Sequence, residues 1–314
     1  MDKHYLGIEI GGTKLQLVVG DETGQIVDRA RLDVHREDAA EGIREQIEET
    51  IRNFLVEYRF LAAGVGFGGP LNRKTATIST SHQIEGWAGF ELADWLENLL
   101  RCPIFADNDA NIAALGEARQ GAGQGFETVF YVTLGSGVGG GMIVNGRIYH
   151  GAVPGESEIG HLRLDRQGTT LESQVSGWAV DGRVRALVAQ QPNSVLAQLV
   201  AEAGATSGEA RFLGPALEQN DPVAQQLLAE TADTLAFGLS HAVHLFHPEI
   251  LILGGGLSLL GDPLCEAVEA ALPNYLMASF QPGPKVVIAQ LGEDAVPIGA
   301  MTLARRRINN HEFE

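Results

Sequence analysis

The sequence predicts an α/β fold of two related lobes, and three observations lead there. YLGIEIGGTKLQLVV at 5–19 reads as strand, glycine turn and strand. The same pattern, though not the same residues, returns in VFYVTLGSGVGGGMIVNGRIY at 129–149, which adds an Asn-Gly hairpin turn. Between and after these hairpins, apolar residues at helical spacing alternate with short buried strands, the pattern of helices laid on sheets.

The elements follow in order. DETGQIV after the first hairpin supplies a turn and a third strand. Ile43, Ile47, Ile51 and Leu55 form the stripe of an amphipathic helix, and AAGVGFGGP is a buried strand. A helix over about 90–101 uses Leu92, Trp95, Leu96 and Leu99, and PIFA at 103–106 is a short strand leading to Asn108 and Asp109. A helical stretch runs from Ala110 to about Gln120. Beyond the second hairpin come a long helix over Asp221 to Phe246, the strand EILILGGG, the strand KVVIAQL and a last helix from Ala295. The expected division is a small lobe over 1–112 joined by the last helix, about 298–314, and a large lobe over 113–297, with a cleft between.

Composition narrows the function classes. The 314 residues are 45% hydrophobic and 20% charged, as expected of a packed soluble chain rather than a disordered one. A formal net charge of -18 opposes the phosphate attraction on which nucleic-acid binding relies. No apolar run is long enough to span a membrane and the start lacks a leader pattern, so no membrane partner and a cytoplasmic location are expected. Cys102 and Cys265 are far apart and match no metal spacing, which favours buried packing over a disulfide.

The glycine motifs need care. GIEIGGTK is not a P-loop, because its lysine follows the threonine and LQLVV continues as strand. GSGVGG at 135–140 fits the dinucleotide fingerprint by letter but leads into a hairpin, not a helix. What remains is physical: glycine turns let backbone amides approach phosphates, and Thr13 and Thr133 add hydroxyls. Two such turns at corresponding places favour a phosphate clamp. The GGG at 254–256 suits either a nucleotide base or close packing.

Two polar clusters carry candidate chemistry. Asp109, beside Asn108 at a strand-to-helix switch, is either a base at a cleft mouth or part of a helix cap. In GESEIGH at 155–161, Glu158 and His161 share a face if the segment is helical, and Glu172 follows; such a group binds sugar hydroxyls or is a solvated cluster. Its spacing matches no zinc site.

Taken together and in order, GIEIGGTK, GFGGP, NDAN, TLGSGVGGG, EIGH, LES, LILGGG and AVPIGA resemble the ROK family of sugar kinases and sugar-responsive repressors. That resemblance implies the duplicated, two-lobed actin-like ATPase (ribonuclease H-like) fold, and an ATP-dependent phosphotransferase acting on a hexose hydroxyl, most readily the 6-hydroxyl of glucose or an N-acetylhexosamine. It implies Asp109 as general base, with Gly68, Gly69, Asn108, Glu158, His161 and Glu172 around the sugar. It implies Gly11, Gly12, Thr13, Lys14, Thr133, Gly135 and Gly137 around ATP phosphates, and Gly254 and Gly255 near adenosine.

ATP and magnesium are the implied cofactors, with Glu9, where the family usually carries Asp, reaching magnesium through a bound water. Many members hold a structural zinc through a cysteine-rich loop after EIGH; HLRLDRQGTTLESQVSG has no cysteine, so no zinc is expected. The family also admits a homodimer. Its repressors carry a DNA-binding segment before the first phosphate motif, for which ten residues leave no room, so nucleic acid is not an expected partner. Two alternatives stay open: a sugar-binding sensor without catalysis, and a polyphosphate-using glucokinase, the latter opposed by a content of only four lysines.

Overall fold

The computed structural model describes residues 3–81, 84–152 and 157–309. Strands β1 (His4–Ile10), β2 (Leu15–Gly20) and β3 (Ile26–Leu32) form an antiparallel meander. Helix α1 (Ala39–Glu57) leads to β4 (Phe60–Phe67), which lies parallel to β1. After the small hairpin β5 (Leu71–Asn72) and β6 (Thr77–Ile78) come α2 (Leu92–Leu100), β7 (Ile104–Asn108) and α3 (Asp109–Gln120). The next run holds β8 (Thr128–Leu134), β9 (Val138–Val144), β10 (Arg147–Ile148), α4 (Glu172–Val175), α5 (Gly177–Gln190), α6 (Val195–Glu202) and α7 (Leu213–Glu218). The chain closes with α8 (Pro222–Phe246), β11 (Ile250–Gly254), α9 (Asp262–Ala271), β12 (Lys285–Ile288) and α10 (Ala295–Asn309).

Two five-stranded sheets have the orders β3-β2-β1-β4-β7 and β10-β9-β8-β11-β12. Each places its third, second and first strands before a fourth and a fifth, so the repeated hairpin in the sequence corresponds to a repeated sheet. By contacts the chain divides into one unit of Met1–Gly125, Gly141–Ser157 and Glu293–Glu314, and another of Phe126–Gly140 and Glu158–Gly292.

In the first unit, period-two alternation sorts the sheet's faces. Leu6, Ile8 and Ile10 of β1 and Ala63, Val65 and Phe67 of β4 pack with Ile43, Ile47 and Ile51 of α1, and with Trp87 and Leu96. The other face presents Tyr5, Val18 and Ala62 to Met301 and Ala304 of α10. On that face small residues admit backbone-to-backbone approach: a Cβ on Gly64 would lie 1.9 Å from the Ala300 carbonyl oxygen, and one on Gly299 would lie 1.9 Å from that of Ile112. Helix α10 is thereby seated between β4 and α3. Residues 310–314 of the expected last helix lie outside the described residues.

Differences from expectation have local causes. The helix foreseen from about 90 starts at Leu92, because Glu91 forms an antiparallel bridge with Thr77 that holds the chain extended up to that point. Helix α8 begins where foreseen, with the Asp221 carboxylate accepting from the Val223 N–H and Pro222 in the first turn. Cys102 and Cys265 are buried free thiols, each pushed up to about 11 mainly by burial, in keeping with packing roles.

Gly64→Ala is expected to lower unfolding free energy by about 3 kcal/mol, because the added methyl meets fixed backbone rather than a movable side chain. Urea denaturation of the variant checks this, and an unchanged midpoint would contradict the close seating of α10.

Candidate active site

In the first unit three segments converge. The turn joining β1 to β2 carries Gly11, Gly12, Thr13 and Lys14, and is closed by the Gly11 N–H donating to the Lys14 carbonyl at 2.8 Å. Gly68, just past β4, donates its N–H to the Ile10 carbonyl at 2.8 Å, which ties it to the same turn. A Cβ at Gly68 would lie 3.3 Å from Asp109 Oδ2 and 3.4 Å from Gly11 Cα, so the carboxylate and the turn meet where glycine has no side chain. Gly69 faces elsewhere, its missing Cβ lying 2.9 Å from the Thr80 carbonyl oxygen. Lys14 pairs with Glu293 at 3.3 Å, with both side chains more than half exposed.

The switch from β7 to α3 fixes Asp109. Phe67 and Asn108 are register partners in the parallel pair, so the strand ends beside Gly68. Asn108 is the helix N-cap: its Oδ1 accepts from the Ala110 N–H at 2.9 Å and the Asn111 N–H at 3.4 Å. Asp109 Oδ1 accepts from the same Ala110 N–H at 2.8 Å. The cap therefore occupies Asn108's oxygen, which leaves its amide NH₂ as the group suited to a sugar oxygen. The cap reading of the sequence thus holds, and it leaves the Asp109 carboxylate beside Gly68.

Behind the switch lies a cluster that the sequence did not single out. Asp107, 5% exposed, accepts through Oδ1 from the Asn108 N–H at 2.9 Å and from Asn111 Nδ2 at 3.0 Å. Its Oδ2 lies 2.6 Å from His150 Nε2. Asn111 is fully buried, and its Oδ1 has no partner among the described residues. An aspartate inside the apolar run IFADN was the available signal.

Glu9 sits on β1 opposite Gln16 and is 8% exposed. The Gln16 amide donates to Glu9 Oε2 at 2.6 Å and to the Glu293 carbonyl at 2.8 Å, while Gln16 Oε1 is buried without a partner among the described residues. Burial pushes the Glu9 carboxyl above the ordinary 4.5, outweighing the lowering by the Gln16 hydrogen bond and Lys14; Glu293 and Asp294 add to the rise. No group of three or more His, Cys, Asp or Glu among the described residues could hold a metal by protein ligands alone. A magnesium ion carried mainly by nucleotide phosphates and water, with one carboxylate nearby, is the form that this donor set fits.

In the second unit, the turn after β8 is closed by the Gly135 N–H donating to the Gly137 carbonyl at 2.9 Å, and the Gly177 N–H donates to the Gly135 carbonyl at 2.7 Å. Among the described residues nothing lies within 4 Å of where a Gly135 Cβ would stand, so the turn has open space on that side. Glu172 Oε2 accepts from the Val138 N–H at 2.8 Å, and a Cβ on Gly137 would lie 2.5 Å from that oxygen. The sequence-predicted sugar carboxylate thus braces the sequence-predicted phosphate turn. Glu158 precedes a single helical turn, Ile159–His161, and its Oε2 lies 3.9 Å from His161 Nε2, both side chains being exposed. Gly155 and Glu156 of that motif lie outside the described residues.

Thr133 is the register partner of Gly254. A Cβ on Gly254 would lie 2.2 Å from the Tyr131 hydroxyl, and one on Gly255, whose φ is +81°, would lie 2.6 Å from the Leu134 backbone. Close packing on β8 is therefore sufficient reason for both glycines.

Sequence and fold both match known proteins. The model of the ROK family matches residues 5–307. A glucokinase of Halalkalibacterium halodurans is 30% identical over 99% of this chain and 98% of its own, and one of Streptomyces coelicolor is 32% identical over 96% and 97%. Among solved structures, a ROK family glucokinase from Streptomyces griseus in complex with glucose and AMPPNP superposes with a TM-score of 0.85, at 32% identity over 96% of this chain and 99% of that one.

A raised carboxyl pKa sets a sign. The folded state holds the Glu9 proton to a higher pH than the unfolded chain does, so ionised Glu9 costs stability above that window and the cost fades as pH falls through it. Glu9→Gln is expected to be more stable than the unsubstituted chain at about pH 7.5, with a smaller gain at about pH 5, as read from denaturant midpoints. An equal or larger gain at the lower pH would contradict the burial assigned to this carboxyl.

Proposed function

The chain belongs to the ROK family, and from that premise we propose that it is a hexokinase-type phosphotransferase which moves the γ-phosphate of ATP to a hexose, with glucose first among acceptors and the 6-hydroxyl as nucleophile. The observation that carries the reading is the seat of Asp109 against the Gly68 backbone and the Gly11 turn. Phosphoryl transfer asks little covalent chemistry of a protein: an oriented hydroxyl, a base for its proton, and donors aimed at the phosphate oxygens.

In this reading Asp109 orients the sugar hydroxyl and accepts its proton as the oxygen attacks phosphorus. Asn108 offers its amide NH₂ to a neighbouring hydroxyl while its oxygen caps α3. Glu158, His161 and Glu172 bind further hydroxyls, and Glu172, through Val138, ties sugar recognition to the turn at 135–137. The Gly11–Lys14 and Gly135–Gly137 turns present backbone amides to the nucleotide phosphates, with Thr13 and Thr133 adding hydroxyls. Magnesium bound with ATP would supply charge neutralisation at the phosphates, and Glu9 would be the carboxylate to hold it through a bound water. An N-acetylhexosamine in place of glucose is a difference of a few contacts, on the order of 1–3 kcal/mol.

A catalytically silent sugar binder is the second reading, favoured by the burial of Glu9 against Gln16 at the place of a magnesium-facing acid. ADP release coupled to oxidation of a reporter, with magnesium-ATP against a panel of hexoses and N-acetylhexosamines and with polyphosphate as a parallel donor, separates the two. Release that depends on one hexose is the expected outcome. No release with any sugar, while sugars still raise the melting temperature, would replace the kinase by the binder.

A further inference from the structure

Within the first unit, a cavity of about 180 Å³ is lined by the apolar Leu115, Ile148 and Leu303 and by Arg147, Arg306, Arg307 and His150. None of the sugar- or ATP-binding residues assigned above lines it. The chain has 22 basic residues against 40 acidic ones, yet three arginines and, among the described residues, no acidic side chain line this one hollow.

The hollow is structurally built. The β9–β10 turn, Asn145 and Gly146, runs through two positive φ angles of 51° and 68°. The Gly146 carbonyl accepts from Arg119 Nε at 3.1 Å and Nη2 at 2.8 Å, and from Arg306 Nη1. Two guanidiniums from different helices thus share one acceptor, which uses only part of their five donors each. A Cβ on Gly146 would lie 1.9 Å from Arg119 Nη2, so only glycine admits this arrangement. Burial, and then the like charges of Arg119 and Arg147, pull the Arg306 guanidinium below its usual value. Arg306 and Arg307 stand in the last turn of α10, where a cation favours the helix dipole by under about 1 kcal/mol; that accounts for their sign but not for a half-open hollow with arginines from two elements. His150 closes one wall, with Asp107 behind it at 2.6 Å and engaged there by the Asn108 N–H and Asn111.

We propose that this cavity is a second anion site, one that takes a phosphate group against Arg147, Arg306 and Arg307. Arginines from β10 and α10 together offer the several donors that the oxygens of a phosphate group accept. Leu115, Ile148 and Leu303 offer apolar contact to the carbon portion of a small phosphate monoester, which therefore binds more tightly than inorganic phosphate.

Calorimetric titration of the full chain with glycerol 3-phosphate and with inorganic phosphate in chloride buffer, without nucleotide, tests this without relying on the kinase reading, because variants at Arg306 and Arg307 separate this site from any other. One site per chain is expected, weakened at least roughly tenfold in both Arg306→Gln and Arg307→Gln. Arg307 is exposed, so its variant keeps the measurement meaningful if loss of the Arg306 contact to Gly146 disturbs the fold. Tighter binding of the monoester identifies an organic phosphate as the ligand, and equal binding identifies free phosphate; either supports the site. Absence of binding, or affinity unchanged in both variants, would overturn it. So would binding seen only after removal of residues 310–314, since that would give the arginines to the chain's own Glu312 and Glu314.

Discussion

One hydrogen-bonded junction governs the first unit: the end of β7, where the Asn108 side chain caps α3 and so sets the direction in which Asp109 leaves the strand. A helix start leaves backbone N–H groups without partners, and a residue that satisfies them costs the sequence nothing extra if it also faces a ligand. Parallel register with β4 puts that start beside Gly68, and the hydrogen bond from Gly68 to Ile10 joins both to the β1–β2 turn. Three segments distant in sequence meet because three adjacent strands end together.

The junction is held from below by charge and from behind by close packing. Asp107, buried beneath the cap, is engaged by the Asn108 N–H, Asn111 and His150, so its carboxylate is surrounded by hydrogen-bonding partners. Helix α10 reaches α3 and β4 at backbone distance because Gly64 and Gly299 carry no side chain. The second unit uses another device: Glu172 braces the Gly137–Val138 backbone, making one carboxylate serve the turn and its surroundings.

What was legible in the sequence follows from what leaves a periodic trace. The paired hairpins, the Ile43–Ile47–Ile51 stripe, the capped start of α8 and the long buried strands were readable because alternation and helical spacing are direct consequences of burial on one face. Helices α5, α6, α7 and α9 were not singled out: α5 is weakly one-sided and α6 and α7 are short, although Pro192–Ser194 and Gly261–Pro263 mark the starts of α6 and α9. Asp109 was legible through its neighbours NDAN, whereas His150 and Asp107 were not: their partnership spans 43 positions and no local pattern announces it. The arginines around Gly146 are likewise assembled by the fold from α3, β10 and α10.

The account rests on Asp109 as the proton acceptor, and the most direct measurement is turnover beside hexose affinity in Asp109→Asn. The amide keeps the shape and an acceptor oxygen for the Ala110 N–H but cannot take a proton, so hexose binding by calorimetry should remain within a few-fold while turnover falls roughly a hundredfold or more. Turnover comparable to that of the unsubstituted chain would remove Asp109 from the chemistry.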